Sequence, residues 1–140
     1  LFGLITFVKA MKTKDFSFII PVYNRPEEIR ELLDSFLHLD GEKDFEVIIV
    51  EDGSQIMSED VVSKYVDLLH ISYFYKPNTG PGDSRNFGML NAKGNYFIIL
   101  DSDCILPKPY MNDVINSLNT EYVDCFGGPD AAHDSFSNLQ

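Results

Sequence analysis

The chain is short of positive charge. Eleven Lys and Arg stand against 22 Asp and Glu, a formal net charge of −11. Such a field repels phosphate backbones, and no basic stripe interrupts it, which excludes nucleic acid as a partner. An anionic small molecule would need a metal ion or a local arginine to be held. Cysteine is scarce too. Cys104 and Cys125 fit neither a metal spacing nor a secreted disulfide framework, so they read as apolar fillers in a reducing compartment. His38, His70 and His133 are scattered without the spacing of metal ligands. No hydrophobic run reaches the roughly 20 residues of a spanning helix. The apolar start, LFGLITFV, is far shorter, and its charges follow rather than precede it. Residues 1 to 10 read as upstream-derived sequence ahead of Met11, the alternative being a membrane-surface anchor. G-x-S-x-G, the Walker A loop and a G-x-G-x-x-G after the first strand are all missing. Serine hydrolases, P-loop ATPases and dinucleotide oxidoreductases are thereby excluded.

What is present is one domain's worth of ordinary globular sequence: 140 residues, 44% apolar and 24% charged. Short apolar runs alternate with helix-period segments. Strands are expected at 16–20, 45–52, 71–75, 96–100 and 122–127. Helices are expected from Pro26 through Leu37, over 59–69, from Pro81 to a stop at Gly94, and from Pro107 to Leu118. Buried strands joined by helical crossovers imply an α/β fold, a Rossmann-like three-layer sandwich around a mostly parallel sheet. Ligands of such sheets bind beyond the carboxyl ends of the strands. Polar groups gather there: Pro21-Val22-Tyr23-Asn24, Glu51-Asp52-Gly53-Ser54 and Asp101-Ser102-Asp103.

Two of these groups, and an arginine between them in sequence, suggest chemistry. Asp101 and Asp103 lie two apart, so in an extended segment they share a side and repel. A Mg²⁺ or Mn²⁺ ion between them would remove the penalty, its octahedron completed by substrate phosphates. Asp52 can accept a hydrogen bond from a base N–H such as N3–H of uracil. Cytosine presents an acceptor there, so the same site would discriminate against it. Arg85 falls in the first turn of a helix, where a cation opposes the helix dipole. Its placement suggests an anionic partner, either a diphosphate or the nearby carboxylates.

In order, the motifs IIPVYNRPEEIRELLDSF, EVIIVEDGS, NTGPGDSRNFGMLNAKG and YFIILDSDC resemble those of the family 2 glycosyltransferases, whose domain is called GT-A. The resemblance covers about residues 16 to 128 and is specific in combination. It implies transfer of a sugar from a nucleotide-diphosphate donor, usually UDP-linked, to a saccharide or lipid-linked acceptor, with inversion at the anomeric carbon. Pro21, Tyr23, Asn24 and Asp52 would then bind the donor, chiefly at its base. Asp101 would lie near the ribose, Asp103 would coordinate Mn²⁺ or Mg²⁺ across the diphosphate, and Arg85 would sit near the donor. Bacterial cell-envelope polysaccharide synthesis, in the cytoplasm or at the inner membrane face, is the implied setting.

The resemblance also marks a departure. Inverting transfer needs a base for the acceptor hydroxyl, and in this family it comes well after the D-x-D. Here the tail, FGGPDAAHDSFSNLQ, offers only Asp130 and Asp134. The expected organisation is therefore an extension over 1–14, a nucleotide-sugar-binding domain over 15–128, and the start of an acceptor-binding half over 129–140. The alternative is a truncated or degenerate GT-A module that binds nucleotide sugar without turnover. Apolar surface that such a half would cover is expected to drive homodimerisation. Phosphoryl-transfer folds with a D-x-D fail on order, because their acids follow the first strand.

Overall fold

The computed structural model describes residues 9–127. A four-stranded, all-parallel sheet lies at its centre in the order β3-β2-β1-β4. Its strands are β1 (Phe16–Val22), β2 (Glu46–Asp52), β3 (His70–Lys76) and β4 (Tyr96–Ile99). The helices are α1 (Pro26–Leu37), α2 (Glu59–Val62), α3 (Pro81–Asn91) and α4 (Tyr110–Thr120).

Alternation along the strands sorts the core into two layers. Phe16, Phe18 and Ile20 of β1, with Val47 and Ile49 of β2, face α1, the α2 segment and α4. Phe18 packs edge-on against Phe36 and Phe45, ring centroids 4.7 and 5.2 Å away. Ile19, Ile48 and Val50 face the other way, toward Phe87 and Met89 of α3. Gly88 lets α3 come this close, since a Cβ there would lie 2.5 Å from Ile19 Cγ2.

The architecture is the expected three-layer α/β sandwich, but four details differ from the pattern reading. The helix expected over 59–69 is helical only over Glu59–Val62 and continues as turns, with Leu68 and Leu69 both donating to the Tyr65 carbonyl. Val61, Val62 and Val66 are weak helix formers. Burial of Val62, Tyr65 and Leu69 satisfies the same spacing without a continuous helix. The third helix ends at Asn91 rather than Gly94, whose N–H instead donates to Ser17 Oγ at 2.8 Å. No strand forms over 122–127. That segment instead lies against β4, where Tyr96 donates its hydroxyl to the Val123 carbonyl at 3.1 Å. Apolar residues alone do not make a strand without a ladder for their backbone groups. Finally, β4 is not buried on both faces. α3 packs over β1 and β2, leaving Phe97 and Ile99 38% and 45% exposed.

The close approach at Gly88 generates a stability prediction. Gly88→Val should force Ile19 and α3 apart and cost about 1–3 kcal/mol, the range for overpacked cores. An unchanged urea unfolding midpoint would show that this contact is not tight.

Candidate active site

The expected edge of the sheet is assembled at the carboxyl ends of β1, β2 and β4, and the end of β3 joins it through Lys76. At the end of β2 the side chains alternate, so Glu51 and Asp52 serve opposite faces. Glu51 is fully buried on the α2 side. It accepts hydrogen bonds from Ser54 Oγ, from the Ser58 N–H at 2.8 Å and from the Tyr73 hydroxyl at 2.7 Å. Burial and that bond to Glu51 push the Tyr73 hydroxyl well above its ordinary pKa.

Asp52, 3% exposed, faces α3. Its Oδ1 accepts from Lys76 Nζ at 2.6 Å and the Thr79 N–H at 3.0 Å, and its Oδ2 from the Gly80 N–H at 2.9 Å. Burial alone would raise its pKa, but the bonds from Lys76, Thr79 and Gly80 outweigh it and hold the carboxyl below its ordinary range. Gly53 closes the turn with φ 71°, and a Cβ there would strike Asn78 N at 2.5 Å.

The β1 loop is welded to the β2 loop by Asn24. Its N–H donates to Ser54 Oγ at 2.7 Å, while its side-chain oxygen accepts from the Gln55 and Ile56 N–H groups at 2.7 and 2.9 Å. Asn24 adopts φ 55°, a left-handed conformation that asparagine tolerates better than most residues.

After β4, the two acids of the D-S-D each meet a guanidinium. Arg85 donates to Asp101 Oδ1 at 2.7 Å, so of its two expected partners the structure supplies the carboxylate. Arg85 Nε is buried without a hydrogen-bond partner among the described residues. Arg25 Nη1 approaches Asp103 Oδ2 at 3.9 Å while donating to both oxygens of Glu28 at 3.1 and 2.9 Å. Ser102 also donates to Glu28, at 3.3 Å, so Glu28 ties the first turn of α1 to the D-S-D loop.

One cleft of about 380 Å³ joins these pieces. Pro21, Tyr23, Asp52, Asp101 and Asp103 line it, together with Val22, Arg25, Pro81 and Ser102. Tyr23, 49% exposed, offers an aromatic face at its rim. Of the residues singled out from sequence, Asn24 and Arg85 are not among the lining residues, while Asp130 and Asp134 lie outside the described residues. Arg25 and Lys76 were missed. The available signals were a cation between P-V-Y-N and a helix-starting proline, and a lysine ending the strand beside E-D-G-S. A second cavity, about 440 Å³, opens at the amino ends of β2 and β3 beside Lys14, Glu46, His70 and Lys93. It gathers none of the expected site residues.

The sequence matches the family described as "Glycosyl transferase family 2" over residues 17–138. The chain belongs to that family. An uncharacterised glycosyltransferase of Rickettsia typhi is 42% identical over 103 residues, which make up 74% of this chain and 31% of that protein. The poly(ribitol-phosphate) β-N-acetylglucosaminyltransferase TarS of Staphylococcus aureus is 33% identical over 112 residues, 78% of this chain and 20% of its own. The crystal structure of TarS with UDP-GlcNAc superposes with a TM-score of 0.74 at 30% identity, covering 83% of this chain and 37% of that one. The chain thus spans about a third or less of the length of these relatives. A mannosyltransferase from Pyrobaculum calidifontis, solved with GDP-Man and Mn²⁺, shares the fold at a TM-score of 0.66 and 23% identity, covering 75% of this chain and 31% of its own. The family's fold is the GT-A fold, and the α/β sandwich with its motif-bearing edge is that fold.

The Asp101-Ser102-Asp103 loop after β4 offers oxygen donors of the kind that suit Mg²⁺ or Mn²⁺. Among the described residues, no group of three or more His, Cys, Asp and Glu side chains is placed to hold a metal. Mg²⁺ and Mn²⁺ need only one or two carboxylates when phosphates and water complete the octahedron. Asp103 meets that requirement: its side chain is 54% exposed, and Arg25 is its one ion-pair partner among the described residues.

Asp52's depressed pKa gives a pH dependence of known sign. Its contribution to stability is full above the ordinary carboxylate pKa of about 4 and is lost as pH falls through the folded value. Wild type and Asp52→Asn should therefore differ most in urea midpoint near neutrality, with the gap narrowing toward acid. A gap that stayed constant to low pH would contradict the assignment.

Proposed function

We propose that this chain is the donor-binding part of an inverting, divalent-metal-dependent glycosyltransferase acting on a UDP-sugar. The observation that carries the reading is that one cleft is lined by Asp52, Asp101 and Asp103 together. Family membership and the likeness to TarS, solved with UDP-GlcNAc, support it.

In this reading the uracil ring lies between Pro21 and Tyr23, with its N3–H donating to Asp52. Asn24 acts indirectly, by fixing the loops that carry Tyr23 and Asp52. Asp101 lies by the ribose, held by Arg85, and Asp103 is the ligand of a Mn²⁺ or Mg²⁺ ion, supported by phosphate and water oxygens. Such an ion supplies positive charge against the departing diphosphate. Arg25 and Arg85 add cationic character to a chain whose net charge of −11 would otherwise repel the donor. In this reading residues 15–128 are the donor-binding domain, and the base for the acceptor hydroxyl comes from outside it. No helix among the described residues is long and apolar enough to cross a membrane.

Titration of UDP with and without Mn²⁺ tests this reading. Wild type should bind roughly tenfold tighter with Mn²⁺, about 1.4 kcal/mol. Asp103→Ala should lose that enhancement and keep the metal-free affinity. Equal Mn²⁺ enhancement in both proteins would overturn the metal assignment.

A further inference from the structure

Lys76 belongs to none of the motifs, yet it occupies the centre of the polar network behind the cleft. Its side chain is 11% exposed and stands directly across the β2–β3 ladder from Asp52. Besides Asp52 Oδ1, Nζ donates to the Thr79 hydroxyl and to the Pro77 carbonyl at 3.3 Å, and it pairs with Asp83 Oδ2 at 3.1 Å. Thr79 in turn donates its hydroxyl to Asp83. One ammonium thus joins the tip of β2, the tip of β3, the 77–80 loop and the first turn of α3.

We propose that Lys76 is a positioning residue for base recognition, holding the Asp52 carboxylate so that one acceptor direction of Oδ2 is left for the donor's base. A carboxylate accepts about four hydrogen bonds. Lys76 and Thr79 fill Oδ1 and Gly80 takes one direction of Oδ2, which leaves one, on a residue that lines the cleft. The same ammonium separates Asp52 from Asp83, two acids that would otherwise face each other unscreened. The ligand class selected is a base with an N–H donor at its Watson–Crick edge, uracil rather than cytosine.

This inference rests on Asp52 reading the base, and the experiment separates the two claims. UDP and CDP are titrated from pH 4.5 to 8 into wild type, Asp52→Asn, Lys76→Met and Lys76→Gln. Among the described residues the titratable or charged groups around Asp52 are Lys76 and Asp83 in the network, and Tyr23, Arg25, Asp101 and Asp103 lining the same cleft. Removing the Lys76 charge leaves burial of Asp52 less opposed, so its proton is taken up at higher pH. Lys76→Met should bind UDP about tenfold more weakly at neutral pH, lose preference over CDP, and lose UDP binding toward the acid end of this range, where wild type keeps it. Phosphate titration of the nucleotide is common to both proteins and cancels in the comparison. If Lys76→Met does not fold, Lys76→Gln carries the test, since it retains an N–H donor but no charge and should still show the upward shift. Wild-type pH profile and base preference in a folded Lys76 variant would overturn the proposal. Equal UDP binding by wild type and Asp52→Asn would instead remove the premise beneath it.

Discussion

The structure depends on keeping a carboxylate ionised and aimed while almost excluded from water. Asp52 is 3% exposed, and burying an unpaired charge costs several kcal/mol. The cost is offset locally by one ammonium and two backbone N–H groups. Those donors come from β3 and from the loop entering α3, so the charge cannot be satisfied until three segments have come together. Gly53, which admits the Asn78 backbone, and Gly88, which admits α3, are the close approaches that permit this meeting.

The same edge shows a division of labour between neighbouring acids. Glu51 and Asp52 are adjacent in sequence and both buried, but the strand pleat sends them to opposite faces. Glu51 fastens the loop after β2 from behind, through Ser54, Ser58 and Tyr73, and does not line the cleft. Asp52 does. Asp101 and Asp103 differ again, since they are well exposed and balanced by arginines rather than locked in a donor cage. The buried acid is held rigid by its donors, while the two exposed acids keep access to solvent.

Much of this was legible in the sequence because parallel sheets write themselves as short apolar runs closed by polar residues. The runs before Pro21, Asp52 and Asp101 placed three tips on one edge, and the cleft joins all three. What pattern could not supply was the partner of each group. Nothing in the spacing says that α3 stops short of β4, so Phe97 and Ile99 read as core although they are exposed. Nor does a Tyr-Val-Asp-Cys-Phe run reveal whether a ladder awaits it, and over 122–127 none is formed. A lysine at a strand end was the one signal for Lys76, and it says nothing of the register pairing across β2 and β3 that sets it beside Asp52.

In the proposed reading one cleft at the carboxyl ends of the strands takes both halves of a nucleoside diphosphate. A crystal structure of the chain soaked with UDP and Mn²⁺ tests it most directly. The uracil edge is expected against Asp52 and the ion on Asp103. Nucleotide density in the cavity beside Lys14, Glu46 and His70, with the Asp52 cleft left empty, would contradict it.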